Sequence, residues 1–386
     1  MQPNAVGTRR VAPPKLLFLV TEDWYFCSHR LPVARAARDA GFAVAVATRV
    51  REHGEAIQAE GFSLHPLRWR RRGSGVLGHL RALSEIVSLY RAEKPDLLYH
   101  VALKPVLFGG IAARLAFRAG RRPALVSAVM GLGASAKTGW ARRTLGAALR
   151  YAAAAGAIVV QNPEDRSALV GFGLNPMRIA LISGSGVDTV HFTALPQPLE
   201  EPVTVALVGR MLKSKGVLDA ASAIRKLRAE GEAVELLLAG TPDSDSGDSL
   251  SEAEMRELAG APGVEWLGYV RDVREVWRRA AIAVLPSSYG EGVPKSLLEA
   301  ASCARPIVAT DMPGCRQVVA PGVTGLLVPP NDEPALVRAI GMLAGDPQLR
   351  RRMGEAGRAK ICAEFADEMV ADATLAVCQA ELERRR

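Results

Sequence analysis

The segment Ser287-Ser-Tyr-Gly-Glu-Gly-Val-Pro-Lys-Ser-Leu-Leu-Glu299 carries two carboxylates, Glu291 and Glu299, on either side of a glycine turn and a helix start. The apolar run 281–286 ahead of it has strand length, and Pro294 suits the first residue of a helix, so the local order is strand, loop, helix. Unpaired N–H groups and the positive end of the dipole at such a helix start favour an anion. The Lys295 and Ser296 side chains add donors beside them. A phosphate fits there. Glu291 precedes the helix and Glu299 lies in its second turn, so the two address different parts of one ligand, and carboxylate acceptors suit sugar hydroxyls. Taken alone, a glutamate pair at this spacing is ordinary surface charge.

A second candidate, Val208-Gly-Arg-Met-Leu-Lys-Ser-Lys-Gly216, follows one strand and opens another helix. Gly209 lets the backbone turn, while Arg210 and Lys215 project toward the place where a diphosphate would lie. Fixed cations stabilise the charge that builds on a departing diphosphate, which makes a divalent metal dispensable. Taken alone, this segment also reads as charge at a helix start. The chain has no His-Glu-x-x-His, Asp-x-Asp or cysteine cluster, and no metal site is expected. Ser183-Gly-Ser-Gly186 sits in a linker rather than after a strand, so a serine-hydrolase elbow is not expected either.

In the first half, Thr21-Glu-Asp-Trp-Tyr-Phe-Cys-Ser-His-Arg-Leu-Pro32 occupies the place where a dinucleotide-binding protein carries Gly-x-Gly-x-x-Gly, and it contains no glycine. A nicotinamide or flavin enzyme is thereby disfavoured. This loop offers Asp23, His29 and Arg30 to a cleft, although His29 at a helix start reads equally as a structural hydrogen-bonding group. Leu98-Tyr-His-Val-Ala-Leu-Lys-Pro105 puts His100 at a strand end and Lys104 just beyond it; a strand-end histidine satisfied by backbone is the competing reading. Gly131 and Gly133, in Ala128-Val-Met-Gly-Leu-Gly133, allow close backbone approach to a substrate.

The elements that must position these groups alternate through most of the chain. Strand-like runs at 16–20, 43–48, 97–100, 124–128, 157–160 and 179–182 are separated by helical patterns at 31–40, 77–93, 106–118 and 142–154. The alternation begins again at 203–208 and continues through 234–239, 264–267, 282–285 and 307–310. Two doubly wound α/β units follow, joined across 183–202, where Gly, Ser and Pro accumulate. Such sheets bind ligands at the carboxyl ends of their strands.

Composition agrees with that organisation. A chain of 386 residues, 49% hydrophobic and 23% charged, can build two cores. No apolar run reaches the ~20 residues of a membrane-spanning helix, and 15–20 is too short for a signal peptide. Five cysteines without a C-x-x-C spacing point to a reducing cytosol. The net charge of +9 draws the chain to anionic surfaces. The cluster Arg68, Trp69, Arg70, Arg71 and Arg72, ahead of an amphipathic helix, suits a peripheral membrane contact or a solvated charge run. No helix-turn-helix, zinc finger or aromatic sheet motif supports nucleic acid as a partner.

With 302–310, Asp311-Met-Pro-Gly-Cys-Arg316 and 321–330 following in register, the segment from 287 resembles the C-terminal signature of retaining glycosyltransferases of GT-B architecture. The resemblance is to the family-four type, the group 1 glycosyltransferases, in the branch that builds bacterial capsule, O-antigen and lipid-linked oligosaccharides. It implies two Rossmann-like domains, 1–188 for the acceptor and 189–363 for the nucleotide sugar, with 364–386 forming a helix that returns to the first. It implies that Arg210 and Lys215 clamp the diphosphate, that Glu299 binds the nucleotide ribose, and that Glu291 contacts the donor sugar together with the backbone of Gly292, Val293, Pro294 and Lys295. Under the same resemblance His100 lies near the donor sugar and Gln161-Asn-Pro-Glu-Asp165 on the interdomain side. Backbone near Tyr269 and Val270 then meets the nucleotide base, or Tyr269 is plain packing.

The activity implied is metal-independent, cofactor-free transfer from a nucleotide-diphosphate sugar, with UDP expected, to a hydroxyl of a polyprenyl-diphosphate-linked glycan at the cytoplasmic face of the inner membrane. A sugar-nucleotide epimerase of the same architecture, and a non-catalytic protein that binds nucleotide sugars or membrane surfaces, are the alternatives.

Overall fold

The computed structural model describes residues 12–69, 75–132, 139–290 and 292–385. Glu291, Gly133, Arg70, Arg71 and Arg72 lie outside the described residues.

The first domain runs β1 (Lys15–Glu22), α1 (Asp23–His29), α2 (Leu31–Asp39), β2 (Ala43–Arg49), α3 (Gly54–Ala59), β3 (Ser63–Pro66) and α4 (Gly75–Glu93). It continues with β4 (Leu97–Val101), α5 (Leu103–Ala116), β5 (Ala124–Ala128), α6 (Gly139–Ala153), β6 (Ala157–Val160), α7 (Pro163–Gly171) and β7 (Ile179–Leu181). The second runs β8 (Val203–Val208), α8 (Val217–Ala229), β9 (Val234–Ala239), α9 (Glu252–Ala259), β10 (Val264–Trp266), α10 (Arg274–Arg279) and β11 (Ile282–Leu285). After it come α11 (Lys295–Ser302), β12 (Ile307–Thr310), α12 (Pro313–Val318), β13 (Gly325–Val328), α13 (Glu333–Gly345), α14 (Pro347–Glu364) and α15 (Asp367–Arg385).

All strand pairs in both sheets are parallel, in the orders β3-β2-β1-β4-β5-β6-β7 and β10-β9-β8-β11-β12-β13. Parallel strands need crossovers, and crossover helices cover both faces, so the strands are apolar on both sides. In β1, Leu16, Phe18 and Val20 face α2 and α15, while Leu17 and Leu19 face α4 and α5. The same alternation recurs in β8: Ala206 and Val208 pack toward α11, and Val205 and Leu207 toward α8 and α13. In each sheet the order reverses next to its first strand, between β1 and β4 and between β8 and β11, and the diverging loops leave a crevice there.

The chain crosses between domains twice. Val187 N donates to Phe365 O at 2.9 Å and Asp367 N donates to Val187 O at 3.1 Å, so the two crossings run side by side. α15 then packs on the first domain, burying Val370, Ala371 and Cys378 against the β1 face. Its contact with α2 and β5 is the return helix that the family resemblance implied.

Two sequence expectations change here. The segment 21–32 is not a loop: its first two residues end β1, and the rest forms α1 and the start of α2. Trp69 is not displayed to a surface: it is 3% exposed, with Phe108 edge-on at 6.4 Å and the Lys104 ammonium 5.5 Å from its ring centroid. Burial of an indole among Leu67, Ala82 and Ile86 outweighs any interfacial preference, because that contact removes apolar area from water in the folded chain itself. Arg68, the described cation of that cluster, is exposed, and its N–H donates to the Glu85 carboxylate at 3.1 Å. Among the described residues no helix is long and apolar enough to cross a membrane. Trp69→Ala is expected to cost about 3–5 kcal/mol in urea unfolding while leaving vesicle binding unchanged; unchanged stability would contradict this placement.

Candidate functional site

A cavity of about 930 Å³ opens between the domains, lined from one side by the ends of β1, β4 and β5 and from the other by the ends of β8 and β11. Its second-domain wall is built from two turns. After β8, Gly209 adopts φ +149°, and the chain passes through a 3₁₀ turn, Lys213–Lys215, to Gly216 at φ +75°. A side chain at Gly216 would collide with the Pro286 carbonyl, so glycine holds the Arg210–Lys215 turn against the loop that follows β11. After β11, Pro294 caps α11 instead of opening it, and the helix begins at Lys295 with no side-chain cap. The N–H groups of Lys295 and Ser296 at its start therefore face no capping side chain, while Leu297 N donates to Pro294 O at 3.1 Å and, just ahead of the helix, Val293 N donates to Gln161 Oε1 at 3.1 Å.

Gly209, Arg210, Lys215, Gly292, Val293, Pro294, Lys295, Ser296 and Glu299 all line this cavity. From the first domain so do His29, Lys104 and Gly131. The topology thus gathers residues separated by up to 270 positions, from His29 to Glu299.

The charge distribution is specific. Arg210 Nη1 donates to Asp243 Oδ2 at 2.5 Å, and its guanidinium lies 5.8 Å from the centroid of Trp24. Lys295 Nζ donates to Gly186 O at 2.7 Å and lies 3.9 Å from Asp367 Oδ1, which ties the start of α11 to the paired chain crossings. Burial pushes the Glu299 carboxyl up to about 7, Lys295 opposing and Asp367 assisting. His29 stacks on Tyr25 at 4.2 Å and its Nδ1 lies 2.6 Å from Ser28 Oγ. Burial, then the charges of Lys295, Arg30 and Lys215, holds His29 well below the usual imidazole range, so it is neutral at pH 7. Burial also lowers Lys104, which Glu22 partly counters.

Four sequence-predicted positions fall elsewhere. His100 is fully buried within β4, its Nε2 2.8 Å from the Tyr90 hydroxyl, on the face covered by α4 and α5. Burial holds it down at about 3, and the imidazole fills the space that Gly109 leaves open, so it does not reach the cleft. Asp23 is fully buried and accepts from the N–H groups of Trp24, Arg51 and His53 at 2.8, 2.6 and 2.9 Å. Its carboxylate anchors the turn after β2 and is not presented to an acceptor. Arg30, 2% exposed, runs beneath the cleft and directs Nη2 to Met130 Sδ at 3.0 Å. Val270 packs on the second core, while Tyr269 is exposed beside a neighbouring recess.

Other residues complete the walls: Trp24, Tyr25, Met130, Gln161, Ser214, Ser246, Asp248 and Tyr289. Of these Gln161 was expected on the interdomain side, and its side chain joins the domains through Val293. Nearby, Asp165 accepts from Gly131 N and Leu132 N at 3.0 Å each, fixing the glycine turn after β5. The polar loop 241–249 was not read as part of the site, because its role is tertiary: Asp243 meets Arg210, and Asp248 accepts from Ser214 N at 3.1 Å.

Comparison with known proteins matches this architecture. A family described as glycosyl transferase 4-like matches residues 15–162, and one described as glycosyl transferases group 1 matches residues 202–346. The alpha-maltose-1-phosphate synthase of Mycolicibacterium smegmatis is 34% identical over 53% of this chain and 57% of its own length. The capsular polysaccharide biosynthesis glycosyltransferase CapM of Staphylococcus aureus is 24% identical over 78% of this chain and 80% of its own. The chain spans about half the length of several curated relatives, 57% and 45% for two such synthases. Among solved structures, Anabaena Alr3699/HepE in complex with UDP and glucose superposes with a TM-score of 0.78 at 18% identity, covering 95% of this chain and 100% of that one.

The Glu299 carboxyl gives a pH test. An acid raised from 4.5 to about 7 on folding binds more protons in the native state, so it stabilises fully below the unfolded value and loses that contribution as pH rises through the folded one. The melting temperature of Glu299→Gln is therefore expected to fall less than that of the unsubstituted protein between pH 5 and pH 8; parallel melting curves would exclude the shift.

With one family match over each sheet, and two Rossmann-like domains closing on a cation-lined cleft, the chain belongs to the group 1 glycosyltransferases of GT-B architecture.

Proposed function

We propose that this protein is a retaining, metal-independent glycosyltransferase that moves a sugar from a nucleotide-diphosphate donor to a hydroxyl of a lipid-linked glycan in surface polysaccharide assembly. The observation that carries the reading is the convergence of Arg210, Lys215 and the uncapped start of α11 on one wall of the interdomain cavity. Two mobile phosphate charges need fixed counter-charge and unpaired N–H donors, and that wall supplies both.

In the donor complex the diphosphate lies against Arg210, Lys215 and the α11 start, with the nucleoside toward Glu299. The Glu299 carboxyl, which burial pushes up to about 7, offers its oxygens to the ribose hydroxyls. The sugar then projects toward the first domain, where His29, Lys104 and Gly131 face it. The bond from the anomeric carbon to the diphosphate oxygen breaks, and the acceptor oxygen bonds to the same face of that carbon. The departing phosphate oxygen takes the acceptor's proton, and Arg210 and Lys215 hold the charge that grows on it, as a divalent ion would. The nucleotide is UDP in this reading, supported by the UDP complexes of the structurally similar HepE protein. The capsular glycosyltransferase relative supports surface polysaccharide as the pathway.

Incubation with UDP- and GDP-sugars and a membrane lipid extract tests the assignment through released nucleotide. Arg210→Ala and Lys215→Ala are each expected to lower turnover about 10²–10³-fold with the fold retained, and a chelator is expected to leave it unchanged. Undiminished turnover in either variant would remove the clamp, and conversion of the nucleotide sugar without any acceptor would indicate an epimerase.

A further inference from the structure

A second cavity, of about 720 Å³, lies at the opposite end of the first sheet, beside the amino ends of β1, β4 and β5. Five cations line it: Arg91 and Lys94 at the end of α4, Arg121 and Arg122 in the turn before β5, and Arg385 in the last turn of α15. Asp96 is the lone carboxylate among the lining residues, and it is engaged by the Lys15 backbone N–H at 2.7 Å. Glu93, at the end of α4, is taken by Lys15 Nζ at 2.8 Å.

Among the described residues none of the five cations has an ion-pair partner. Arg91 Nη2 donates to Leu115 O at 3.0 Å, and Arg122 Nε is buried with no hydrogen-bond partner. Three helices end here, α4, α5 and α15, and their carboxyl ends attract cations. Each end contributes roughly half a negative charge at most, against an excess of four positive charges from the side chains. The helix ends therefore account for part of the basic lining and leave the larger part unbalanced. Pro14, Pro95, Phe117, Pro123 and Leu382 form an apolar floor between the cations.

We propose that this cavity is a binding site for a phosphorylated ligand bearing at least two negative charges, with its apolar portion against Phe117 and Leu382. It is separate from the donor cleft, since the two sit at opposite ends of the same strands, about 17 Å apart for a strand of five residues. A soluble phosphate ester and an anionic lipid headgroup share this chemistry.

Inorganic pyrophosphate is the probe, with calorimetry as the readout. The unsubstituted protein is expected to bind two equivalents. Arg210→Ala combined with Lys215→Ala keeps the equivalent at this cavity, and Arg121→Ala combined with Arg122→Ala keeps the one in the cleft. Arg385→Glu, at an exposed position that leaves the core untouched, is expected to weaken the second equivalent about tenfold or more, an effect that shrinks in high salt. Flotation with phosphatidylglycerol vesicles separates the two sources: its loss in the Arg121/Arg122 variant assigns a lipid headgroup, and its retention alongside loss of the pyrophosphate equivalent assigns a soluble ligand. Two equivalents of undiminished affinity in both the Arg121/Arg122 and Arg385 variants, or none in the cleft variant, would overturn the site.

Discussion

The pairing of β8 with β11 and of β1 with β4 sets the geometry on which the cleft depends. At each of these pairs the chain leaves neighbouring parallel strands toward opposite sides of the sheet, so the loops that follow diverge and the carboxyl ends stand open. Burial on both faces fixes the strands against sliding, because a shift of one residue would turn every apolar side chain from one helical layer to the other. Arg210 and the start of α11 are thus held on rigid strand ends, and an electrostatic site gains its strength from that lack of freedom.

Among the described residues the two domains meet through polar contacts, of which the one between Gln161 and Val293 borders the cavity. Gln161 reaches Val293 on one side, and Arg316 Nη1 lies 2.8 Å from Glu164 Oε1. On the other side Arg49 Nη1 lies 2.9 Å from Asp245 Oδ2, with Arg51 paired to the same carboxylate. Exposed pairs of this kind contribute little stability each, so the covalent crossings and α15 carry the connection between domains. Lys295 joins the two features: its Nζ on the Gly186 carbonyl places a residue of the cavity wall in contact with the crossing itself.

Sequence legibility followed burial. The ranges read for β8, β9, β11 and β12 coincide with the observed strands, since a strand covered on both sides shows as an uninterrupted apolar run. Ser63–Pro66, a half-exposed edge strand, shows no such run, and Gly325–Val328 is hidden among glycine and proline turn signals. α1 has no capping side chain and only seven residues, so its local signal was that of a loop. His100 misled for another reason: the strand continues to Val101, and the two-residue alternation turns the imidazole to the face where Tyr90 and Gly109 receive it.

The sequence by itself determined the alternating α/β organisation, the helix start beside Pro294, and the Arg210–Lys215 turn. Each of these is local, resting on periodicity, on a glycine that permits one backbone angle, or on charges within a few residues of one another. Tertiary structure decided which charged groups meet a ligand and which are consumed by the fold. Asp23, Arg30, His100 and Trp69 have the types of functional residues, yet packing consumes all four: Asp23 accepts backbone N–H groups, Arg30 meets Met130, His100 meets Tyr90 and Trp69 lies edge-on to Phe108, because burial in the folded chain decides which groups reach the cleft. The same rule left Glu299 at a protonation balance near neutrality and gathered five unbalanced cations at the far end of the sheet, consequences of proximity that no spacing along the chain records.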